Sequence, residues 1–272
     1  MQQSNRKPDL QVAVAQGRID WADVPANHAR FAGLLAQAEG ADLVLLPEMF
    51  STGFTLDSAS HAEQPDGPTT GWLLEQAARL DAVVCGSLIV QAGPADYRNR
   101  LIWARPDGTT EHYDKRHLFR MAGEQNHYTA GRSQLHVELK GWRIRPLLCY
   151  DLRFPVWSRC DGTTDLLFYL GSWVTARRDA WNRMLPARAI ENLCYVAAVN
   201  RIGKDQNDYP HSGDSQVLDY MGNSLLHVRD QQGLFHATLN AAALERFRVR
   251  FGAHLDADRF TLHDLAEPDS GE

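Results

Sequence analysis

The chain has 272 residues, 44% of them hydrophobic, enough for a sizeable core within one domain. Lysine and arginine number 28 against 34 aspartate and glutamate, a formal net charge of -6 with no basic block or stripe, which excludes nucleic acid as the main partner. No segment is apolar for long enough to cross a bilayer and no signal peptide is evident, so a membrane is not an expected partner either.

A single domain over residues 1–272 is expected, with residues 1–8 and 266–272 as loose tails, since no low-complexity linker or internal repeat interrupts the chain. Cys85, Cys149, Cys160 and Cys194 are widely spaced, with no C-x-x-C and no histidine pair at metal spacing. Disulfide staples and a zinc knuckle are not expected, and the pattern suits a reducing cytoplasm.

Leu10 to Gln16 alternates and stops at Gly17, which predicts a strand. A helix follows from Pro25, with Phe31, Leu34, Leu35 and Ala38 at helical spacing and Gly40 as the stop. Asp42 to Leu46 is apolar without alternation, the pattern of a strand covered on both faces, and it ends in Pro47-Glu48. Thr69 or Thr70 is the expected cap of a second helix, and Ala82 to Val90 is another apolar strand. Asn99 to Ala104 and Thr109 to Tyr113 flank Pro106-Asp107-Gly108 as a hairpin that runs into Asp114-Lys115.

A second hairpin, Leu135 to Leu139 and Trp142 to Leu148, turns at Lys140-Gly141 and delivers Cys149 into a cluster of charged, aromatic and proline residues. Beyond it come a strand over Asp165 to Leu170 and a helix marked by Trp181, Met184, Leu185, Ala189 and Leu193. A strand over Tyr195 to Val199, a hairpin around Met221-Gly222-Asn223 and a helix over Ala241 to Phe251 complete the order. Strands and helices in this succession predict an α/β fold of two sheets with helices outside.

Glu48, Lys115 and Cys149 each stand where an apolar strand or hairpin gives out. Taken singly, they read equally as a solvated strand end, a surface hairpin tip and a packed core thiol. Together they are the parts of a nucleophilic hydrolase: a thiol, a carboxylate to take its proton and an ammonium to hold an oxyanion. A free thiol titrates near ~8.5, so at neutral pH it needs such a base. The backbone N–H of Tyr150, next after the thiol, is a second candidate donor to the oxyanion.

Leu45-Leu46-Pro47-Glu48-Met49-Phe50-Ser51-Thr52-Gly53-Phe54, Tyr113-Asp114-Lys115-Arg116-His117-Leu118-Phe119 and Cys149-Tyr150-Asp151-Leu152-Arg153-Phe154-Pro155 resemble, in order, the three motifs of the nitrilase superfamily of carbon–nitrogen hydrolases. Within it the chain is similar to the omega-amidase branch. The resemblance implies a four-layer αββα sandwich, a thioester intermediate, no metal or organic cofactor, and a homodimer. It makes Cys149 the nucleophile, Glu48 the general base and acid, and Lys115 the oxyanion stabiliser. Glu124, ahead of Thr129-Ala130-Gly131, is implied to orient Lys115 and substrate, and the Arg188 to Asn192 segment to be structural.

The implied substrate is a small-molecule amide, the terminal amide of a dicarboxylic acid monoamide such as α-ketoglutaramate. A cation must then meet the distal carboxylate. Arg177 and Arg178 either supply it or merely start a helix in solvent. Phe54 and Trp173 are candidate pocket walls or core packing. Other amide, carbamoyl or nitrile hydrolysis would use the same triad, although the tryptophan that nitrile-hydrolysing relatives carry after the cysteine is absent here. A non-catalytic binding member of the fold would be expected to have a broken triad. Asp151 and Arg153, two apart, are expected to pair with each other, His112 and His117 to be surface or supporting residues, and the other three cysteines to be packing.

Overall fold

The computed structural model describes residues 7–160 and 162–263. In chain order the strands are β1 (Leu10–Gln16), β2 (Leu43–Leu45), β3 (Val83–Gly93), β4 (Asp96–Ala104), β5 (Thr110–Asp114), β6 (Val137–Leu139), β7 (Trp142–Leu148), β8 (Leu166–Gly171), β9 (Tyr195–Asn200), β10 (Ile202–Lys204), β11 (Pro210–Leu218), β12 (Ser224–Arg229) and β13 (Gly233–Leu239). The helices are α1 (Val24–Leu35), α2 (Ser58–His61), α3 (Pro68–Leu80), α4 (Pro155–Ser158), α5 (Arg178–Asn192) and α6 (Ala241–Arg250).

One sheet runs β13-β1-β2-β3-β4-β5. The other runs β10-β11-β9-β8-β7-β6, with β12 paired to β11. β1, β2 and β3 are mutually parallel, as are β7, β8 and β9, whereas β5 runs antiparallel to β4 and β6 antiparallel to β7.

Burial explains the apolar runs. Val12, Val14, Leu43 and Leu45 face the second sheet in the main core, whereas Ala13, Ala15, Val44 and Leu46 face α1 and α3 on the outside. A strand covered on both faces has no polar side to show, hence the missing alternation. α5 packs on β9 and β11, outside the second sheet. The result is the expected αββα sandwich. Trp103 of β4 and Phe168 of β8 stack across the sheet interface at 6.2 Å between ring centroids.

Four sequence expectations need correction. α3 is capped at Gly67, not by Thr69 or Thr70, because the Glu63 carboxylate takes the Thr69 N–H at 2.7 Å and the Thr69 hydroxyl as well. β3 extends to Gly93 and turns back at once into β4, a hairpin not foreseen. β10 and β13 were likewise unread; β13 pairs antiparallel with β1, far back in the chain. Lys7 and Pro8, placed in a loose tail, are tied down. Lys7 pairs with Asp165 at 2.8 Å, and the Pro8 carbonyl accepts from Trp142 Nε1 at 2.7 Å. The remainder of the expected tails, residues 1–6 and 266–272, lies outside the described residues.

Candidate active site

Three strand ends from two sheets meet at one point. After β2 the chain passes Leu46 and Pro47 to Glu48, whose N–H donates to the Gly171 carbonyl of β8 at 3.3 Å. That bond fastens a loop of the first sheet to a strand end of the second. Lys115 follows β5, with its N–H donated to the Asn99 carbonyl (2.9 Å) and its carbonyl accepting from Gly131 N–H (2.9 Å). A Cβ at Gly131 would lie 2.1 Å from the Asp114 carbonyl oxygen, so this crossing requires glycine. Cys149 is the first residue past β7.

Met49, beside Glu48, has φ +46°, and Cys149 has φ +39°. Left-handed backbone costs a residue with a Cβ roughly 1–3 kcal/mol and persists only where its surroundings over-determine it. Both strained residues sit at the point of convergence.

Glu48 and Lys115 are each 1% exposed and Cys149 8%. Lys115 Nζ donates to Glu48 Oε1 at 2.8 Å and to both oxygens of Glu124 at 3.0 Å. Asn99 Nδ2 donates to Glu48 Oε1 at 2.9 Å and reaches Glu124 Oε1 at 3.4 Å. Glu48 Oε2 accepts the Ser172 N–H at 3.1 Å, and the Glu48 carboxylate also hydrogen-bonds the Cys149 thiol.

Burial, reinforced by the Glu48 charge, pushes the Cys149 thiol well above its ordinary pKa, with Lys115 and the Ser172 N–H opposing. The thiol therefore rests protonated. Burial disfavours the charged form of Lys115, but Glu124 and Glu48 outweigh it and hold the ammonium protonated far into alkali. Such an arrangement can pass a proton from sulfur to carboxylate during attack and meet the new oxyanion with a fixed positive charge.

The cluster forms one end of a cavity of about 280 Å³. Phe54, Tyr150, Trp173 and Arg177 line it, together with Phe119, Arg153 and His211. Lys115 Nζ lies 5.6 Å from the centre of the Phe54 ring. The guanidinium of Arg153 lies over Trp173 at 4.9 Å and that of Arg177 over Phe119 at 5.0 Å. Among the described residues neither guanidinium is in an ion pair with a carboxylate, although Asp205 lines the same cavity.

The family model for carbon–nitrogen hydrolases matches residues 11–249, nearly the whole chain. The chain belongs to the carbon–nitrogen hydrolase family. It is similar to the omega-amidase YafV of Yersinia enterocolitica, 42% identical over 93% of this chain and 98% of that one. It also resembles the 2-oxoglutaramate amidase of Bacillus subtilis, 32% identical over 75% of this chain and 80% of the other. Among solved structures it is similar to XC1258 from Xanthomonas campestris, a CN-hydrolase superfamily protein with an arsenic adduct in its active site. That match has a TM-score of 0.91 and 46% identity, covering 93% of this chain and 99% of that one. Nit3 of Saccharomyces cerevisiae shares the fold, with a TM-score of 0.82 at 22% identity.

Within this carbon–nitrogen hydrolase several residues stand elsewhere than expected. Glu124 hydrogen-bonds Lys115 but does not line the cavity, where substrate contact was also expected; it is fully buried and accepts the Phe119 N–H. Arg178 turns away to Asp214, at 2.7 Å. Asp151 and Arg153 do not pair: Asp151 faces inward to Tyr113, His117 and Leu148, and Arg153 faces the cavity. His117 hydrogen-bonds Asp151 through its N–H. Arg188 and Asn192 are structural, bonding the Leu152 carbonyl and the Cys160 N–H. Asn99 is a further member of the site that no local sequence pattern marks.

Proposed function

We propose that the protein is an omega-amidase, hydrolysing the terminal amide of a dicarboxylic acid monoamide of the α-ketoglutaramate type. The observation that carries the reading is the convergence on one small cavity of a thiol, its carboxylate and ammonium, and two guanidiniums that form no ion pair among the described residues. Its relatives named as omega-amidase and 2-oxoglutaramate amidase support the choice of substrate.

Glu48 takes the thiol proton as Cys149 Sγ attacks the amide carbon, and the carbonyl electron pair moves onto oxygen. Lys115 Nζ and the Tyr150 N–H stabilise that oxyanion, while Glu124 and Asn99 hold Lys115 and Glu48 in place. On collapse the C–N bond breaks and Glu48 returns the proton to the nitrogen, which leaves as ammonia. Water, deprotonated by Glu48, then attacks the thioester; the C–S bond breaks and the acid departs as the thiol is reprotonated. Arg153 and Arg177 receive the distal carboxylate. We further propose a homodimer acting in the cytoplasm, in keeping with the resemblance and the four free cysteines.

The test is ammonia release from a panel of acid amides, neutral amides, nitriles and carbamoyl compounds, run beside Cys149→Ala. Acid amides should be turned over fastest and Cys149→Ala should be inactive but folded. Full activity in that variant, or preference for nitriles, overturns the reading.

A further inference from the structure

We propose that Asp151 is a positioning residue that locks the Lys115 segment to the Cys149 elbow and so aligns the thiol with the cation that meets the oxyanion. The proposal rests on the catalytic reading above. Asp151 is fully buried and does not line the cavity. Its Oδ2 accepts from the Tyr113 hydroxyl at 2.7 Å and from the Leu148 N–H at 3.1 Å. Its Oδ1 accepts the His117 N–H at 3.0 Å and lies 2.8 Å from His117 Nδ1.

The identity of these partners is the argument. Tyr113 and His117 stand two residues either side of Lys115, and Leu148 immediately precedes Cys149. One carboxylate therefore grips both chain segments that carry reacting groups, which belong to different sheets. The grip is braced from outside: the Tyr113 oxygen also accepts from Trp157 Nε1 (3.0 Å) and Arg116 N–H (3.2 Å). The His117 ring lies flat on Phe154 at 3.7 Å between centroids.

A backbone held at φ +39° needs such over-determination, and the Leu148 bond supplies it across the elbow. Only a carboxylate suits the position. An amide would turn its NH₂ toward N–H donors on at least one side, freeing either the elbow or the lysine segment.

The test compares Asp151→Asn and Tyr113→Phe with the parent, all rates expressed per active thiol titrated with a cysteine reagent. A purely structural role would lower the number of titratable sites and the thermal midpoint, leaving kcat per site alone. The clamp predicts a fall in kcat of about 100-fold for Asp151→Asn with KM within about threefold, since small misplacements of reacting groups cost that much. Tyr113→Phe keeps the Leu148 bond, so kcat should fall about tenfold while Cys149 alkylates at the parental rate; in Asp151→Asn alkylation should also slow. Unchanged kcat per site in both variants, or a loss confined to KM, overturns the proposal. Should Asp151→Asn not fold, Tyr113→Phe decides alone by the same criterion. A parent that releases no ammonia from any amide instead overturns the catalytic reading, and the clamp with it.

Discussion

Arg153 and Arg177 share the cavity with the thiol, each laid on an aromatic ring and neither, among the described residues, in an ion pair with a carboxylate. A stacked guanidinium keeps its edge free for a carboxylate. Arg153→Gln or Arg177→Gln should raise KM for an acid amide by about tenfold or more, as expected for losing a charge-assisted hydrogen bond. A neutral amide of equal length should be handled as before; steady-state kinetics on the pair of substrates checks this. His211 makes a second prediction. Burial, with Arg201 nearby, lowers its pKa to about 4. The unfolded chain, titrating near ~6.5, takes up a proton through that window while the folded one does not. The stability carried by His211 is thus full above ~6.5 and lost as pH falls toward 4, by at most about 3 kcal/mol. Urea unfolding between pH 7 and 4.5 should show a shallower pH dependence in His211→Asn than in the parent.

At the scale of elements, the proposed catalytic groups are set by how strands end. Lys115 is held between the Asn99 carbonyl on one side and the Gly131 N–H on the other, and Gly131 lies too close to Asp114 for any side chain. Gly131→Ala must therefore displace either the loop or the end of β5. It should cost about 1–3 kcal/mol by overpacking and lower kcat together with the urea midpoint. A variant with parental kcat would show that the lysine does not depend on this crossing. α3 likewise depends on a residue outside the helix, because the Thr69 N–H and hydroxyl both donate to the Glu63 carboxylate.

For the whole molecule, the proposed catalysis depends on two sheets keeping their relative position. Glu48 and Lys115 come from one sheet and Cys149 from the other, so the packing between the sheets is part of the site. Phe168→Ala removes the ring that stacks on Trp103 across the interface. It should destabilise by about 3–5 kcal/mol in chemical unfolding and lower kcat in the fraction that remains folded.

Much of this was legible along the chain. Glu48, Lys115 and Cys149 each end a local pattern, so an apolar run followed by a charge or thiol marked them without a fold. The apolar runs of β2 and β3 and the loop glycines likewise depend on neighbours in sequence. Asn99, Arg153 and the inward Asp151 carry no such local mark. Asn99 acquires its role from Glu48, 51 residues away, and Asp151 from His117, 34 residues away. β13 has meaning only beside β1, at the other end of the chain. The amino-acid sequence by itself determined which residue types were present for thiol chemistry and which strands would be buried, because periodicity and strand ends are local properties. Tertiary structure alone decided that Asp151 faces Lys115's neighbours and Arg153 the cavity. Side-chain direction at an elbow depends on which donors the other sheet brings to it.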